Sequence, residues 1–434
     1  MNGKYNRRKF AWQLALTSGA LATAATQHAS FPFVRTGPRS SRRKRVALLA
    51  TEVRRHSHGQ HFIDRFLEGY GWQGKWHHPE VDLVSLYVDQ FPTNDLARDR
   101  AGRFGVPLFP TVEEALTRGS GKLDVDGVVI IAEHGKYARN EKGQSLYPRY
   151  EWFKKIVKVF EDAGRAVPVF NDKHLATEWA ECAEMVQDSK RLGFAFLAGS
   201  SLPVTWRIPA LEVPLDTPLR ESLCICYGGV DSYDFHGLET VQCMSERRAG
   251  GEAGVKSLQA LRGENAWEAL RKNPTTKKLF LAALTRSHTL RVPSGYTYLP
   301  PDLDWMQKAS PQAVAYFMEH NDGYKSSMFL CNGLLQDFTY AGLTSSEKIL
   351  SCQMHLPMPL HISTTADFFN PLLMHIENLV LHKKAAYPVE RTLLTSGMTL
   401  FGVESLFRGE VKLPTPGMAK VEYSAPRGSH FWRA

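Results

Sequence analysis

Histidines recur near the points where the sequence predicts that β-strands end, and α/β proteins commonly place their catalytic groups there. Carboxylates stand beside some of them, with Glu133 next to His134 and Asp172 two residues before His174. Imidazoles and carboxylates are ligands of catalytic metal ions, so one hypothesis is a metal site for hydrolysis or elimination. The spacing contains no tight His-x-x-x-His pair, and we assign no metal ligand from it. The histidines in question are His56, His58, His61, His134, His174 and His236.

Two segments carry groups suited to moving protons. Asn171-Asp172-Lys173-His174-Leu175 follows a short apolar run, and a lysine in an apolar, cationic site can lose a proton or steer a substrate oxygen. A second segment begins at Gly228-Gly229 and contains His236 and Glu239. These two lie three residues apart, which places them on the same face of a helix.

Short apolar runs alternate with helical patterns over residues 45–200. Because each crossover helix returns the chain in the same direction, this alternation requires a parallel sheet. Six strands with this spacing are typical of a Rossmann domain. The predicted strands are 45–50, 81–88, 106–109, 127–132, 167–170 and 194–198.

Residues 201–434 have a different pattern. Two of their strand candidates are joined by Asn321-Asp322-Gly323, a hairpin signal, and hairpins build antiparallel sheets. We expect helices at 237–248, 365–383 and 388–407 to cover one face of that sheet. The predicted fold class is therefore an α/β Rossmann domain (45–200) with a mainly parallel six-stranded sheet, followed by an α+β domain with a mainly antiparallel open sheet. The strand candidates are 223–227, 254–260, 313–320, 324–330 and 349–355.

This order of parts resembles the glucose–fructose oxidoreductase/inositol dehydrogenase (Gfo/Idh/MocA) family over roughly residues 45–410. The resemblance implies an NAD(P)-dependent oxidoreductase acting on a sugar, cyclitol or related polyol, and a homo-oligomer formed through the C-terminal sheet. Four segments carry it: 83–89, 132–135, 171–175 and 228–239.

Residue roles follow from the same resemblance. Lys173 matches a lysine at the substrate and nicotinamide, and His236 takes the place of the family's catalytic histidine, with Asp234 and Glu239 as the carboxylates near it. His236 would accept the hydroxyl proton as hydride leaves the adjacent carbon, while Lys173 holds the oxygen. The implied cofactor is NAD or NADP, with NAD favoured because Asp89 can accept both hydroxyls of the adenosine ribose. The implied cofactor-binding residues are Ala50, Thr51, Asp89, Glu133, His134 and Lys173.

The loop after the first predicted strand departs from the family. A dinucleotide site requires a glycine-rich turn so that the backbone can approach the pyrophosphate at a helix N-terminus. Here residues 50–59 contain one glycine, the late Gly59, although Arg54 and Arg55 can hold phosphate by charge. Two alternatives therefore stay open: a metal-dependent hydrolase or lyase that modifies sugars, and a non-catalytic sugar-binding protein that has lost the cofactor site.

The first 29 residues read as an export signal. Arg7-Arg8 precedes an apolar stretch at 11–25, an order that resembles a twin-arginine signal peptide, and a Pro/Arg/Ser linker follows at 30–44. The apolar stretch is short and rich in small residues, so we expect no integral membrane domain. The expected location is the periplasm, or otherwise outside the cytoplasm. A cofactor would then have to be bound before export.

The net charge of +9 does not indicate a nucleic-acid partner. Ten Lys and Arg residues and no acidic residue lie within residues 1–45, whereas the rest of the chain has 43 basic and 44 acidic residues. A nucleic-acid-binding protein carries its basic face on the folded part. The expected partner is instead a small carbohydrate or polyol. The six cysteines are too few for a disulfide framework in a chain of this length, and we expect them to be small buried residues.

Overall fold

Six parallel strands form the first sheet, as a computed structural model shows. The structure describes residues 43–357 and 365–428, so the predicted signal peptide and nearly all of the predicted linker lie outside the described residues. The strands of this half are β1 (Lys44–Ala50), β2 (Tyr70–Trp72), β3 (Lys75–His77), β4 (Val81–Val88), β5 (Leu108–Phe109), β6 (Gly127–Ile131), β7 (Val169–Asp172) and β8 (Phe196–Gly199).

The sheet has the strand order β5-β4-β1-β6-β7-β8, which is the Rossmann order once the small β2–β3 hairpin is set aside. The predicted fold class of this half is confirmed. Five helices connect the strands, and local sequence explains their ends: Thr111 caps one by accepting a hydrogen bond from the backbone N–H of Glu114. The helices are α1 (His58–Glu68), α2 (Ala97–Phe104), α3 (Val112–Thr117), α4 (Arg149–Ala163) and α5 (Trp179–Leu192).

The second sheet has eight strands and is mainly antiparallel, as predicted, with one parallel pair between β10 and β13. Its strands are β9 (Arg207–Ile208), β10 (Leu219–Cys226), β11 (Val255–Arg262), β12 (Val314–His320), β13 (Lys325–Leu330), β14 (Phe338–Thr344), β15 (Ile349–Met354) and β16 (Leu413–Pro414). They lie in the order β16-β11-β12-β13-β10-β14-β15-β9. The Asn321-Asp322-Gly323 hairpin joins β12 to β13.

The helices of this half are distributed over both sheets. They are α6 (Tyr233–Ser245), α7 (Glu264–Lys272), α8 (Pro274–Leu284), α9 (Leu303–Ala309), α10 (Asn370–His382) and α11 (Glu390–Phe407), and short 3-10 turns lie at Asp367–Phe369 and Met418–Lys420. α6 and α11 pack on one face of the second sheet. Side chains of α7, α8 and α9 share a core with β10, β13 and β14 on the other face.

One expectation about this half needs correction. The helix expected at 365–383 does not cover the second sheet, because α10 packs on the first sheet, where Leu372 and Ile376 share a core with Val46 and Leu48 of β1. The second sheet is open, as predicted, because its end strands β16 and β9 do not pair, and α7 to α9 lie on one of its faces. The homo-oligomer stays a prediction.

Within the described ranges, no helix has the length and apolar character needed to cross a membrane. All six cysteines are buried as free thiols, as the sequence indicated.

Candidate active site

The carboxyl ends of the first-sheet strands bring the predicted catalytic groups together. We call this place the carboxyl edge, defined by residues one or two positions after the strand ends: Thr51, Asp89, Glu133, Lys173 and Ser200. Parallel strands end on one side of a sheet, so residues distant in sequence meet there. α6 lies against this edge and contributes His236 and Glu239.

Lys173 and His236 are in direct contact. The Nζ atom of Lys173 lies 2.5 Å from Nε2 of His236, and both side chains are buried. Lys173 has a left-handed backbone (φ 73°), and its N–H donates to the carbonyl of Gly199 at 3.1 Å. This constrained turn directs the lysine from the end of β7 towards α6. Burial, reinforced by the positive charge of Lys173, holds the pKa of His236 well below 6.5, so its imidazole is neutral.

Ser200 connects His236 to Glu239. Its Oγ lies 2.9 Å from Nδ1 of His236 and forms a short hydrogen bond to the Glu239 carboxylate. The backbone N–H of Ser200 also donates to Oε1 of Glu239 at 2.9 Å. A Cβ at Gly199 would collide with this carboxylate, so the glycine makes room for it. Both predicted helix residues, His236 and Glu239, thus belong to one hydrogen-bonded chain.

A second set of charges lies on the other side of Lys173. Glu133 Oε1 is 3.8 Å from Lys173 Nζ, and Glu133 Oε2 accepts from Arg149 at 3.1 Å. Arg149 also contacts Nε2 of His174 at 2.9 Å. Burial alone would raise the pKa of Glu133, but the charge of Lys173 and the cationic groups beside it outweigh burial and lower it. An ionised Glu133 therefore faces the lysine.

His58, the first residue of α1, reaches across to β7. Its Nδ1 lies 2.6 Å from Oδ2 of Asp172. Burial raises the pKa of Asp172 to about 6 and, together with Lys173, lowers that of His58 well below 6.5. Oδ1 of Asp172 and Nδ1 of His134 are buried, and neither has a hydrogen-bond partner within the described part of the chain. Two polar atoms at this edge are thus left for a ligand to satisfy.

The predicted cofactor residues Ala50 and Thr51 join the strand-end loops to one another. The carbonyl of Ala50 accepts from the backbone N–H of Asp89 at 3.0 Å, and Thr51 Oγ1 donates to the carbonyl of Glu133 at 2.6 Å. Asp89 accepts from the hydroxyls of Tyr87 and Tyr137 at 2.7 and 2.6 Å. All of these residues lie at the carboxyl edge, and their binding roles stay predictions.

Asp234 has different surroundings from the other predicted catalytic residues. Its carboxylate accepts from the hydroxyl of Tyr316 at 2.9 Å and from backbone N–H groups at the start of α6, including that of Ser232. Residues two apart on a helix point in roughly opposite directions, which separates Asp234 from His236. Its contacts are those of a buried helix cap, and its catalytic role stays a prediction without a supporting contact.

The loop after β1 keeps one function of a dinucleotide-binding turn. A Cβ at Gly59 would lie 2.6 Å from the carbonyl oxygen of Glu52, so this glycine permits close packing of α1 on β1. Glu52 itself is buried and pairs with Arg54 at 2.5 Å. Residues with side chains stand where a dinucleotide-binding turn has its other glycines, as the sequence indicated.

Sequence reasoning missed two members of the site, Ser200 and Arg149. Ser200 directly follows β8, and the strand-end rule that selected Lys173 applies equally to it. Arg149 opens α4, where the helix dipole disfavours a positive charge, and that position signals a carboxylate partner. Among residues 43–357 and 365–428, no group of three or more His, Cys, Asp or Glu side chains is arranged to hold a metal ion.

The strand order and the second, mixed sheet define a fold that this chain shares with several solved structures. GenD2 from gentamicin A biosynthesis, in complex with NAD, has a TM-score of 0.52 and 12% identity over 88% of this chain and 99% of its own. The myo-inositol dehydrogenase of Lactobacillus casei, in complex with NAD(H) and myo-inositol, has a TM-score of 0.54 and 10% identity, with 87% and 100% covered. A probable dehydrogenase from Thermotoga maritima has a TM-score of 0.51 and 10% identity, with 85% and 98% covered.

The fold implied by the resemblance to the Gfo/Idh/MocA family is therefore confirmed. The sequence itself matches no protein-family model and no curated protein. At 10–12% identity the likeness establishes the fold.

Proposed function

We propose that this protein is an NAD(P)-dependent oxidoreductase that acts on a hydroxyl-bearing carbon of a sugar, cyclitol or related polyol. The observation that carries the proposal is the contact between Lys173 and His236 at the carboxyl edge of a sheet with Rossmann strand order. Two proteins of similar fold hold NAD or NAD(H), one of them together with myo-inositol.

The residues at the carboxyl edge fit a nicotinamide dinucleotide. Asp89 retains acceptor capacity for ribose hydroxyls, because a carboxylate can accept more than the two tyrosine hydroxyls it already binds. The backbone N–H groups of His58 and Gly59 in the first turn of α1 have no intrahelical acceptors, and Arg54 and Arg55 lie four and three residues before the helix, which suits a pyrophosphate. The unpartnered atoms of Asp172 and His134 suit polar groups at the nicotinamide end. Asp89 favours NAD over NADP.

The chemistry divides between cofactor and protein. When bound, the nicotinamide accepts or supplies hydride. The Lys173–His236 pair exchanges the proton of the substrate hydroxyl, and the positive charge of Lys173 stabilises negative charge that develops on that oxygen. Glu133, 3.8 Å from Lys173, stabilises the protonated lysine.

The nucleotide content of the purified protein tests the proposal. We expect stoichiometric NAD or NADP to be released on denaturation, or to bind when it is added to nucleotide-free protein. A tightly held divalent ion without nucleotide affinity would favour the metal-dependent alternative. Sugar binding by calorimetry with neither nucleotide nor metal would favour the non-catalytic sugar-binding protein.

We also propose that the protein is exported with its cofactor already bound, from the Arg7-Arg8 signal. The double substitution Arg7→Lys and Arg8→Lys keeps the charge but removes the arginine pair. We expect it to retain the protein in the cytoplasm, measured by cell fractionation, whereas Arg42→Lys with Arg43→Lys should leave export unchanged. Equal export of both variants would contradict a twin-arginine signal.

A further inference from the structure

We propose that Ser200 and Glu239 form the buried end of a proton-transfer chain that begins at Lys173 and runs through His236. Three hydrogen bonds link the four side chains in series: Lys173 Nζ to His236 Nε2, His236 Nδ1 to Ser200 Oγ, and Ser200 Oγ to Glu239 Oε2. The existence and direction of the chain rest on these contacts alone. Its use in turnover rests on the proposed function.

The contacts fix the direction of the hydrogen bonds when Glu239 is ionised. Ser200 has one hydroxyl proton, and it is donated to the carboxylate. The Ser200 oxygen must then accept from Nδ1–H of His236. The neutral imidazole is left with its lone pair on Nε2, which accepts from the Lys173 ammonium. His236 is therefore the Nδ1–H tautomer in this state.

The direction of the hydrogen bonds along the chain reverses when three protons each transfer to the next atom in the chain. An N–H bond of Lys173 breaks as Nε2–H of His236 forms, Nδ1–H breaks as the Ser200 oxygen gains that proton, and the original Ser200 O–H proton passes to Glu239. One proton has then left Lys173 and one has reached Glu239, so the net charge is unchanged. Lys173 becomes a neutral amine that can accept a substrate hydroxyl proton while hydride leaves for the nicotinamide.

The surroundings of Glu239 suit a group that stores a proton. Its side chain is 1% exposed, so a proton placed there is shielded from solvent. Burial raises its pKa to about 7, against the lowering effects of its bonds to Ser200 and of the charges of Lys173 and Arg391. The hydroxyls of Tyr387 and Thr392 beside it donate to the carbonyl of Ala198 at 3.0 and 2.6 Å. Glu239 therefore depends on Ser200 for its exchangeable hydrogen bond.

Nitrogen-15 NMR of the imidazole of His236 tests the direction of the chain in the substrate-free, full-length protein. Above pH 7 we expect the Nδ1–H tautomer. In Glu239→Gln the side-chain amide donates to Ser200, whose hydroxyl must turn to Nδ1, and we expect the Nε2–H tautomer, whose N–H donates to Lys173 as a neutral amine. Thr392→Val is the matched control, because it removes a neighbouring buried hydroxyl outside the chain, and it should keep Nδ1–H.

An Nε2–H tautomer or an imidazolium in the unaltered protein would overturn the proposal, as would an unchanged tautomer in Glu239→Gln. Ser200→Ala provides a second variant if Glu239→Gln does not fold: it should lower kcat by about 10²-fold with little change in KM and reduce the solvent isotope effect on kcat. Unchanged kcat and isotope effect would exclude the relay. Absence of any NAD(P)-dependent turnover would instead refute the proposed function, and the tautomer result would stand.

Discussion

At the scale of single residues, the proposed chemistry depends most on Lys173. Its Nζ atom contacts His236 and lies 3.8 Å from the carboxylate of Glu133. Lys173→Met keeps the length of the side chain and removes its charge and protons. We expect kcat to fall by about 10²- to 10⁴-fold, the usual contribution of a general acid or base. Lys158→Met is the control, because Lys158 lies exposed on α4, and its kcat should not change. Near-normal kcat in Lys173→Met would remove the lysine from the chemistry.

Asp172 leads to a prediction about pH. Its pKa is about 6 in the folded protein, compared with 3.8 ordinarily, because burial disfavours its ionised form despite the charges of Lys173, Arg149 and His134. The folded state thus holds this proton more tightly, and its contribution to stability is full below pH 4 and lost as pH rises through 6. The loss is about 3 kcal/mol, at about 1.4 kcal/mol for each tenfold change in proton affinity.

Asp172→Asn cannot ionise, so the free energy of unfolding of this variant should fall less than that of the unaltered protein between pH 4 and 7. Urea titrations at a series of pH values measure this difference. Asp162→Asn, at an exposed carboxylate, should keep the pH dependence of the unaltered protein. Identical slopes for Asp172→Asn and the unaltered protein would show that Asp172 ionises normally.

The sequence predicted part of the site at this scale, and the reason for the difference is physical. Lys173 and His236 stand in motifs, and their chemistry marks them. Ser200 has only its position after β8 as a signal, because a serine side chain does not mark a site by its chemistry, and its contacts with His236 and Glu239 form only in the folded protein. Asp234 was placed by its distance along the chain, whereas the turn of the helix decides where it points.

At the scale of elements, the packing of α1 requires Gly59, the one glycine in the loop where a dinucleotide-binding turn would be rich in glycine. Gly59→Ala would place a methyl group 2.6 Å from the backbone oxygen of Glu52, which cannot move without disturbing the loop after β1. We expect a loss of about 1–3 kcal/mol in unfolding free energy and weaker nucleotide binding.

Gly102→Ala is the matched control, since Gly102 lies in a helix with nothing within 4 Å of the added methyl group. It should gain up to about 1 kcal/mol from helix propensity. Thermal unfolding and nucleotide titration of the two variants measure both effects. Equal changes in the two variants would show that α1 does not pack on β1 as closely as the structure has it.

Elements with a strong local pattern were predicted well, and those defined by tertiary contacts were not. The six strands of the first sheet were found from apolar runs. β14 was missed because Ala341 and Gly342 weaken its strand character, although all seven of its residues are buried. The absent side chain of Gly342 leaves room for the Tyr340 hydroxyl, which bonds Ser222 at 2.8 Å.

At the scale of the whole molecule, the C-terminal half supplies a helix to the first sheet. α10 comes from the C-terminal half but covers the first sheet, and Val380 packs so closely on Gly127 that a Cβ there would lie 2.5 Å from it. An apolar helix face does not indicate which of two sheets it covers, so the sequence could not make this assignment. The predicted domain boundary at residue 200 stays a prediction.

Because α10 covers the first sheet, we predict that residues 43–200 will not fold alone. Without α10, the first sheet exposes the surface that Leu372, Leu373, Ile376, Leu379 and Val380 cover, all at most 2% exposed. At about 1.5–3 kcal/mol for each buried side chain, their loss is comparable with the 5–15 kcal/mol that stabilises a typical domain.

We expect this fragment to lack near-ultraviolet circular dichroism and a cooperative thermal transition. Joining residues 365–387 to it through a flexible linker should restore both, while the same fusion with Ile376→Asp should not. Cooperative unfolding of residues 43–200 by themselves would show that the first sheet is an independent domain and that its stability does not require α10.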